Sequence, residues 1–188
     1  MERILLHTCC GPCFIYPHSV LTETYEIEAY YFNPNIHPSM EYIRRLEALS
    51  DYCKANEVVL HVGEYDPLVY LRAVSGSEDA RCGMCYSIRL MEAARFAAAQ
   101  GFSALTTTLS VSPYQDHELL QRIGAEAAQA YGIEFRYFDF RPGFRGAQER
   151  AKELGMYRQP YCGCIYSELE RYAKKLGKAE ERAWTKTE

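Results

Sequence analysis

The chain has 188 residues, 48% of them hydrophobic, and shows no low-complexity tract, which fits one globular domain and excludes a disordered protein. A net charge of −4 argues against a grossly basic nucleic-acid binder. No apolar run is long enough to span a bilayer and the opening MERILLHTCC lacks a signal-peptide cleavage site, so a cytoplasmic protein without membrane attachment is expected.

Strand-like and helix-like stretches alternate along the chain. Arg3 to His7 is short, apolar and followed by a Gly-Pro turn, which predicts a buried first strand. Tyr16 to Thr24 reads as a helix, Ile27 to Phe32 as a second strand, and Asn33 to Pro38 as a loop. Ser39 is a candidate cap for the next helix, where Ile43, Leu46, Leu49 and Cys53 form one stripe at helical spacing. Cys53 therefore reads as a core residue. Val58 to Val62 is a third strand and Tyr65 to Ser75 a helix. Cys85 to Gln100 is Ala-rich and helical, with Gly101 placed to end it. Phe102 to Thr106 is a fourth strand that opens into a hydroxyl-rich loop, Thr107 to Pro113. Asp116 to Tyr131 reads as a helix, Ile133 to Phe138 as a fifth strand, and Arg145 to Leu154 as a helix. Ile165, Leu169, Tyr172, Ala173 and Leu176 mark a last amphipathic helix. Residues 1–178 are expected to form a single α/β domain, with 179–188 a frayed tail.

Such alternation implies a five-stranded parallel sheet flanked by helices, whose working site lies at the carboxyl ends of the strands. Cys9, Cys10 and Cys13 follow strand one, the Thr/Ser loop follows strand four, and Asp139-Phe140-Arg141 follows strand five. All three are expected on one edge of the sheet. Charge is uneven as well: residues 1–135 carry 9 basic and 17 acidic side chains, whereas 136–178 carry 10 and 5. That basic segment is either a phosphate-binding face or an ordinary solvated helix surface.

Seven of the eight cysteines fall in three clusters, Cys9-Cys10-Gly11-Pro12-Cys13, Cys82-Gly83-Met84-Cys85 and Cys162-Gly163-Cys164. In a reducing compartment such clusters indicate metal ligation or redox chemistry rather than disulfides. Thiolates alone suit zinc or iron–sulfur. Two of the three clusters depart from the plain paired C-x-x-C of structural zinc sites, one by the extra Cys9 and one by the single spacer Gly163. A [4Fe–4S] cluster takes four cysteines and leaves three for a second metal or a redox pair. Cys82, Cys85, Cys162 and Cys164 each lie where a helix begins, which is expected to favour thiolate.

The motifs His7-Thr8-Cys9-Cys10-Gly11-Pro12-Cys13, Asn33-Pro34-Asn35-Ile36, Arg81-Cys82-Gly83-Met84-Cys85, Thr106-Thr107-Thr108-Leu109, Ser112-Pro113-Tyr114-Gln115, Asp139-Phe140-Arg141 and Tyr161-Cys162-Gly163-Cys164 occur in this order. Together they resemble the cobalamin-independent epoxyqueuosine reductases, the QueH family. The resemblance spans residues 7 to about 167. It implies a Rossmann-like fold related to the adenine nucleotide α-hydrolase-like group, with Cys-Cys-Gly-Pro-Cys in place of that group's phosphate loop, and hence no ATP use. It also implies two-electron reduction of epoxyqueuosine to queuosine at the wobble base of tRNA. The family's cofactors would be a [4Fe–4S] cluster and a further mononuclear iron on Cys9, Cys10, Cys13, Cys82, Cys85, Cys162 and Cys164. The implied partners are tRNAs for Asp, Asn, His and Tyr and an external low-potential electron donor.

Such a reaction needs a proton donor for the departing oxygen, and Asp139, His7 and His117 are the candidates by position. His7 reads equally as a hydrogen-bonded strand-end residue, and Asp139 as a partner of Arg141. An extruded base calls for stacking and polar groups. Thr107, Ser110, Ser112, Tyr114 and Gln115 are candidates for contacting it, as are Tyr157 and Tyr161. Arg141, Arg145 and Arg158 are candidates for tRNA phosphates. Two other readings share the cysteine pattern: a zinc-binding tRNA or nucleotide module without redox activity, and an iron–sulfur electron-transfer protein.

Overall fold

Ile4, Leu5 and Leu6 have no exposed surface, and their alternation divides the core in two. Ile4 and Leu6 pack with Phe14, Leu49 and Cys53, whereas Leu5 packs with Leu90, Ala94, Leu105 and Leu120. A strand buried on both faces belongs in the middle of a parallel sheet covered by helices on each side. The computed structural model, which describes residues 1–184, has that architecture. Its strands are β1 (Glu2–His7), β2 (Tyr25–Tyr31), β3 (Leu60–Val62), β4 (Ala104–Thr107) and β5 (Glu134–Phe135). They form one five-stranded parallel sheet in the order β3-β2-β1-β4-β5, a Rossmann-like arrangement.

Helices α1 (Gly11–Leu21) and α2 (Ser39–Ala55) supply Phe14, Leu49 and Cys53 to one face. Helices α4 (Arg81–Ala99) and α5 (His117–Ala130) cover the other with Leu90, Ala94, Leu120 and Ala127. Three more helices complete the described residues: α3 (Pro67–Val74), α6 (Phe144–Glu153) and α7 (Ile165–Trp184). None of them is long and apolar enough to cross a membrane.

Several boundaries differ from those the sequence suggests, each for a local reason. Helix α1 starts at Gly11, not Tyr16, because Pro12 is suited to a first turn and Cys10 is already extended as the N-cap. Gly11 must lack a side chain there: a Cβ would lie 2.7 Å from Met156 Sδ and 3.2 Å from the Ala48 carbonyl oxygen. Ser39 is not a cap; Pro38 holds that position, with no side-chain hydrogen bond. On α2 the buried stripe is Tyr42, Arg45, Leu49 and Cys53, while Ile43 is 40% exposed. Cys53 is a core residue as read. Helix α4 begins at Arg81 rather than Cys85, so Cys82 lies in its first turn and Cys85 opens its second. Strand β5 ends at Phe135, short of Phe138. The stripe Ile165, Leu169 and Leu176 of α7 remains exposed, and α7 continues to Trp184, past Lys178. Residues 185–188 of the expected tail lie outside the described residues.

Candidate metal centre

Register builds the site. His7 at the end of β1 pairs with Tyr30 of β2 on one side and Thr107 of β4 on the other. The next residues, Thr8-Cys9 and Thr108, therefore leave the sheet side by side. The crossovers diverge here, from β1 towards β2 and from β4 towards β5, and such switch points open a crevice at the strand ends. Polar contacts tie the edge together. Asn33 Nδ2 donates to the Thr8 carbonyl at 3.0 Å, and the Cys9 amide donates to Thr108 Oγ1 at 3.1 Å.

Cys9, Cys10 and Cys13 form the first sulfur group. Cys9 ends the β1 loop, Cys10 is the N-cap of α1 and Cys13 lies in its first turn. Their sulfurs all lie within 4.8 Å of one another, so this trio can bind a metal ion. Cys9 is held well below the ordinary thiol range, by hydrogen bonds from Cys10 and Cys13, then by the Arg89 charge and the Thr108 hydroxyl. Cys10 is pushed up by burial, and Cys13 by its sulfur neighbours. Gln159 Nε2 donates to Cys13 Sγ at 3.6 Å.

Cys82, Cys85, Cys162 and Cys164 form the second group. Cys82 and Cys85 start α4, and Cys164 precedes α7, whose Ser167 amide donates to Cys164 Sγ at 3.5 Å. Cys85 and Cys164 share an apolar pocket with Tyr70 and Val74 of α3. Gly163 separates Cys162 from Cys164 with φ +138, a backbone state reserved for glycine. It lets Cys164 turn inward while Cys162 stays exposed. The expected stabilisation of thiolate at these helix starts is not met. Partial desolvation of the sulfur raises Cys82 and Cys162 although both residues keep exposed surface, and full burial raises Cys85 to about 12. Desolvation outweighs the helix dipole there.

Two buried arginines frame the groups. Arg45 is 1% exposed; it pairs with Glu41 at 2.7 Å and donates to the carbonyls of Cys162 and Tyr161 at 2.9 and 3.0 Å. It thereby fastens the Cys162–Cys164 loop to α2. Arg89 is 2% exposed; it donates to Asn33 Oδ1 at 2.6 Å and approaches Cys85 Sγ at 3.8 Å. A cavity of about 720 Å³ opens between the sulfur groups, lined by Cys9, Cys13 and Cys162, by Arg45 and Arg89, and at its rim by Tyr114, Phe144, Arg171 and Lys174.

The sequence candidates divide accordingly. Ser112, Tyr114 and Gln115 line this cavity, and Gln115 Nε2 donates to Cys162 Sγ at 3.6 Å. Tyr161 lines it too. Thr107 and Ser110 are buried beneath, bonded to His7 and to the Thr107 carbonyl. None of the three proposed acids lines the cavity. His7 is fully buried, with Nδ1 at 2.8 Å from Thr107 Oγ1 and Nε2 at 3.2 Å from the Phe32 carbonyl, and burial lowers it to about 3. His117 is engaged by Tyr137 and the Ser112 carbonyl. Asp139 is locked to Arg141, which holds it at about 2. Beyond β5 the chain buries Phe140 in the same core cluster as Cys10 and Cys13, while Asp139 and Arg141 stay exposed. Arg145, Tyr157 and Arg158 also lie outside the cavity.

Sequence reading missed Arg45, Arg89, Thr108, Gln159, Ser167, Arg171 and Lys174. Signals existed for four of them: Arg89 falls one helical turn after Cys85, Thr108 stands in the hydroxyl-rich loop, and Arg171 and Lys174 lie in the basic segment 136–178.

Fold and site together define a Rossmann-like α/β protein with a buried cysteine trio able to hold a metal ion at its switch point. The model of the family described as epoxyqueuosine reductase QueH matches residues 4–170. The chain belongs to the QueH family. It is 35% identical to an epoxyqueuosine reductase QueH of Dehalococcoides mccartyi over 174 residues, 92% of this chain and 96% of that one. It is 33% identical to its counterpart in Thermotoga maritima over 184 residues, covering 93% and 94%. A solved structure described as a predicted subunit of tRNA methyltransferase from Methanocaldococcus jannaschii aligns with TM-score 0.46 at 11% identity, over 81% of this chain and 88% of that one.

Proposed function

We propose that this chain reduces epoxyqueuosine to queuosine at the wobble base of tRNAs for Asp, Asn, His and Tyr, with electrons from an external low-potential donor. The epoxide takes up two electrons and two protons, both C–O bonds break, and the oxygen leaves as water while the ring carbons become an alkene. The observation that carries this reading is the single cavity onto which both sulfur groups open, Cys9 and Cys13 from one and Cys162 from the other.

The donor sets fit two metal bodies of different size. Thiolates around one ion lie about 3.8 Å apart, and the trio is of that scale. Cys82 and Cys85 each lie within electrostatic reach of Cys162 and Cys164, so these four thiols supply the ligand number of a larger body. Cys82, Cys85, Cys162 and Cys164 would hold a [4Fe–4S] cluster, and Cys9, Cys10 and Cys13 a further iron. When bound, the pair supplies single electrons and a Lewis acid for oxygen. Amide and hydroxyl donors from Thr108, Gln115, Gln159 and Ser167 already aim at the sulfurs such a centre requires.

The protein's own groups receive the substrate. Tyr114 is 86% exposed and stands edge-on to Phe144 at 6.3 Å, a platform for a base turned out of the anticodon loop. Arg171 and Lys174 at the rim meet its phosphates. Exchangeable protons near the sulfurs come from Thr108, Ser112 and Ser167, which line the cavity.

The test is incubation of anaerobically reconstituted protein with epoxyqueuosine-containing tRNA and a low-potential reductant, followed by nucleoside mass spectrometry. Queuosine should accumulate, and a Cys9→Ala/Cys10→Ala variant should not form it; formation at the parental rate by that variant would refute the chemistry. An Arg171→Ala/Lys174→Ala variant should bind tRNA more weakly, with a salt slope shallower by roughly 2.

A further inference from the structure

Arg89 is a buried cation without a carboxylate. Among the described residues it takes part in no ion pair within 4.0 Å, unlike Arg45, which has Glu41. Its hydrogen bonds go to a neutral amide, Asn33 Oδ1, and to sulfur, Cys85 Sγ. Its Nε is buried with no partner. Asn33 is itself anchored on the Thr8 carbonyl, so the guanidinium is held between the β1 loop and α4. The charges that act on it most strongly are Cys85 of the second sulfur group, then Cys9 of the first, then Cys162 of the second.

A guanidinium stays protonated under all ordinary conditions. Removing it from water costs several kcal/mol unless negative charge answers it. Among the described residues, the groups that supply such charge to it are the sulfurs Cys85, Cys9 and Cys162, and Arg89 lines the cavity together with Cys9 and Cys162.

We propose that Arg89 is a positioning residue for the reduction: its fixed charge answers both sulfur groups at once and favours the electron-rich state of the centre held by Cys82, Cys85, Cys162 and Cys164. The proposal rests on the metal reading above. Donors to cluster sulfurs and nearby net charge set the reduction potential of such centres. A cation 3.8 Å from a ligand sulfur stabilises the added electron, so its loss moves the potential negative. The geometry also explains why α4 carries both Cys85 and Arg89: one helical turn places them on the same face.

The experiment compares the parental protein with Arg89→Gln and Arg89→Lys, each reconstituted anaerobically. Iron and acid-labile sulfide are counted first, and the midpoint potential is then followed by electron paramagnetic resonance. Arg89→Gln should shift the oxidised-to-reduced equilibrium at least tenfold towards the oxidised form, about 59 mV for a one-electron couple. Arg89→Lys, which keeps the charge, should shift it less than about threefold, under about 30 mV on the same constant. Should Arg89→Gln fail to retain the centre, retention by Arg89→Lys at a near-parental potential still supports the role of charge. A parental potential in fully loaded Arg89→Gln, equal shifts in both variants, or loss of the centre from both with the fold intact by circular dichroism would each overturn it. A parental protein that takes up neither iron nor sulfide overturns the metal reading itself, and the proposal with it.

Discussion

Replacing Arg45 by Met tests whether the cysteine loop is held by one buried ion pair. The side chain is 1% exposed, and its removal strands three groups. Glu41, also buried, loses its cationic partner and keeps a hydrogen bond from Tyr157; the carbonyls of Tyr161 and Cys162 lose their donors. Breaking a buried pair from one side costs about 3–5 kcal/mol, because a charge is left uncompensated. With a urea m-value of about 2 kcal/mol/M, the midpoint of the metal-free protein should fall by about 1.5–2.5 M. Adding Glu41→Leu removes the stranded charge, so the double variant should recover at least about 1 kcal/mol. The remaining deficit belongs to the two carbonyls, roughly 1 kcal/mol each. The assay is urea unfolding followed by circular dichroism. A loss below about 1 kcal/mol in Arg45→Met, or a double variant no better than the single, would refute the assignment.

Three further outcomes follow from named contacts. Gly163→Ala forces a side chain into φ +138, within 3.1 Å of Ile36 Cγ1 and 3.2 Å of Arg45; it should cost about 1–3 kcal/mol and reduce metal uptake, as denaturation and metal analysis would show. His7 is lowered to about 3 by burial, so its contribution is fully present above the unfolded pKa of about 6.5 and is lost as pH falls towards 3, by up to about 1.4 kcal/mol per pH unit. Denaturation at several pH values should show this slope in the parent and a shallower one in His7→Asn; equal slopes would count against it. Cys53 is pushed up to about 12 by burial, so iodoacetamide at pH 8 should label Cys82 and Cys162 of the metal-free protein well before Cys53, as peptide mass spectrometry would reveal.

The sheet was legible because each strand is a short apolar run and each crossover a periodic helix. Parallel order and the strand-end location of the site followed from alternation alone. The convergence of three cysteine clusters was legible for the same reason: one cluster follows a strand and the others open helices. The division into trio and quartet was not, since it depends on Gly163 and on where α1 begins, details that spacing does not carry. Charge was misread in two places. Ile43 seemed to belong to the buried stripe of α2, yet Arg45 takes that place, because two of its partners, Tyr161 and Cys162, come from a segment distant in sequence, while Glu41 lies one turn before it on the same helix. Cys85, near the start of α4, seemed set to ionise, but burial among Tyr70, Val74 and Tyr166 acts against the helix dipole. The acid candidates were chosen by chain position next to strands, and position says nothing about direction: His7 points into the sheet edge and Asp139 out to Arg141.

The central claim is that seven thiols from three segments enclose a cluster and a separate iron beside one cavity. Counting iron and acid-labile sulfide in the anaerobically reconstituted protein tests it most directly. About five irons and about four sulfides per chain are expected, falling to about one iron with no sulfide when Cys82 and Cys85 are both changed to Ser. Zinc without sulfide in the parental chain, or an unchanged count in that variant, would contradict it.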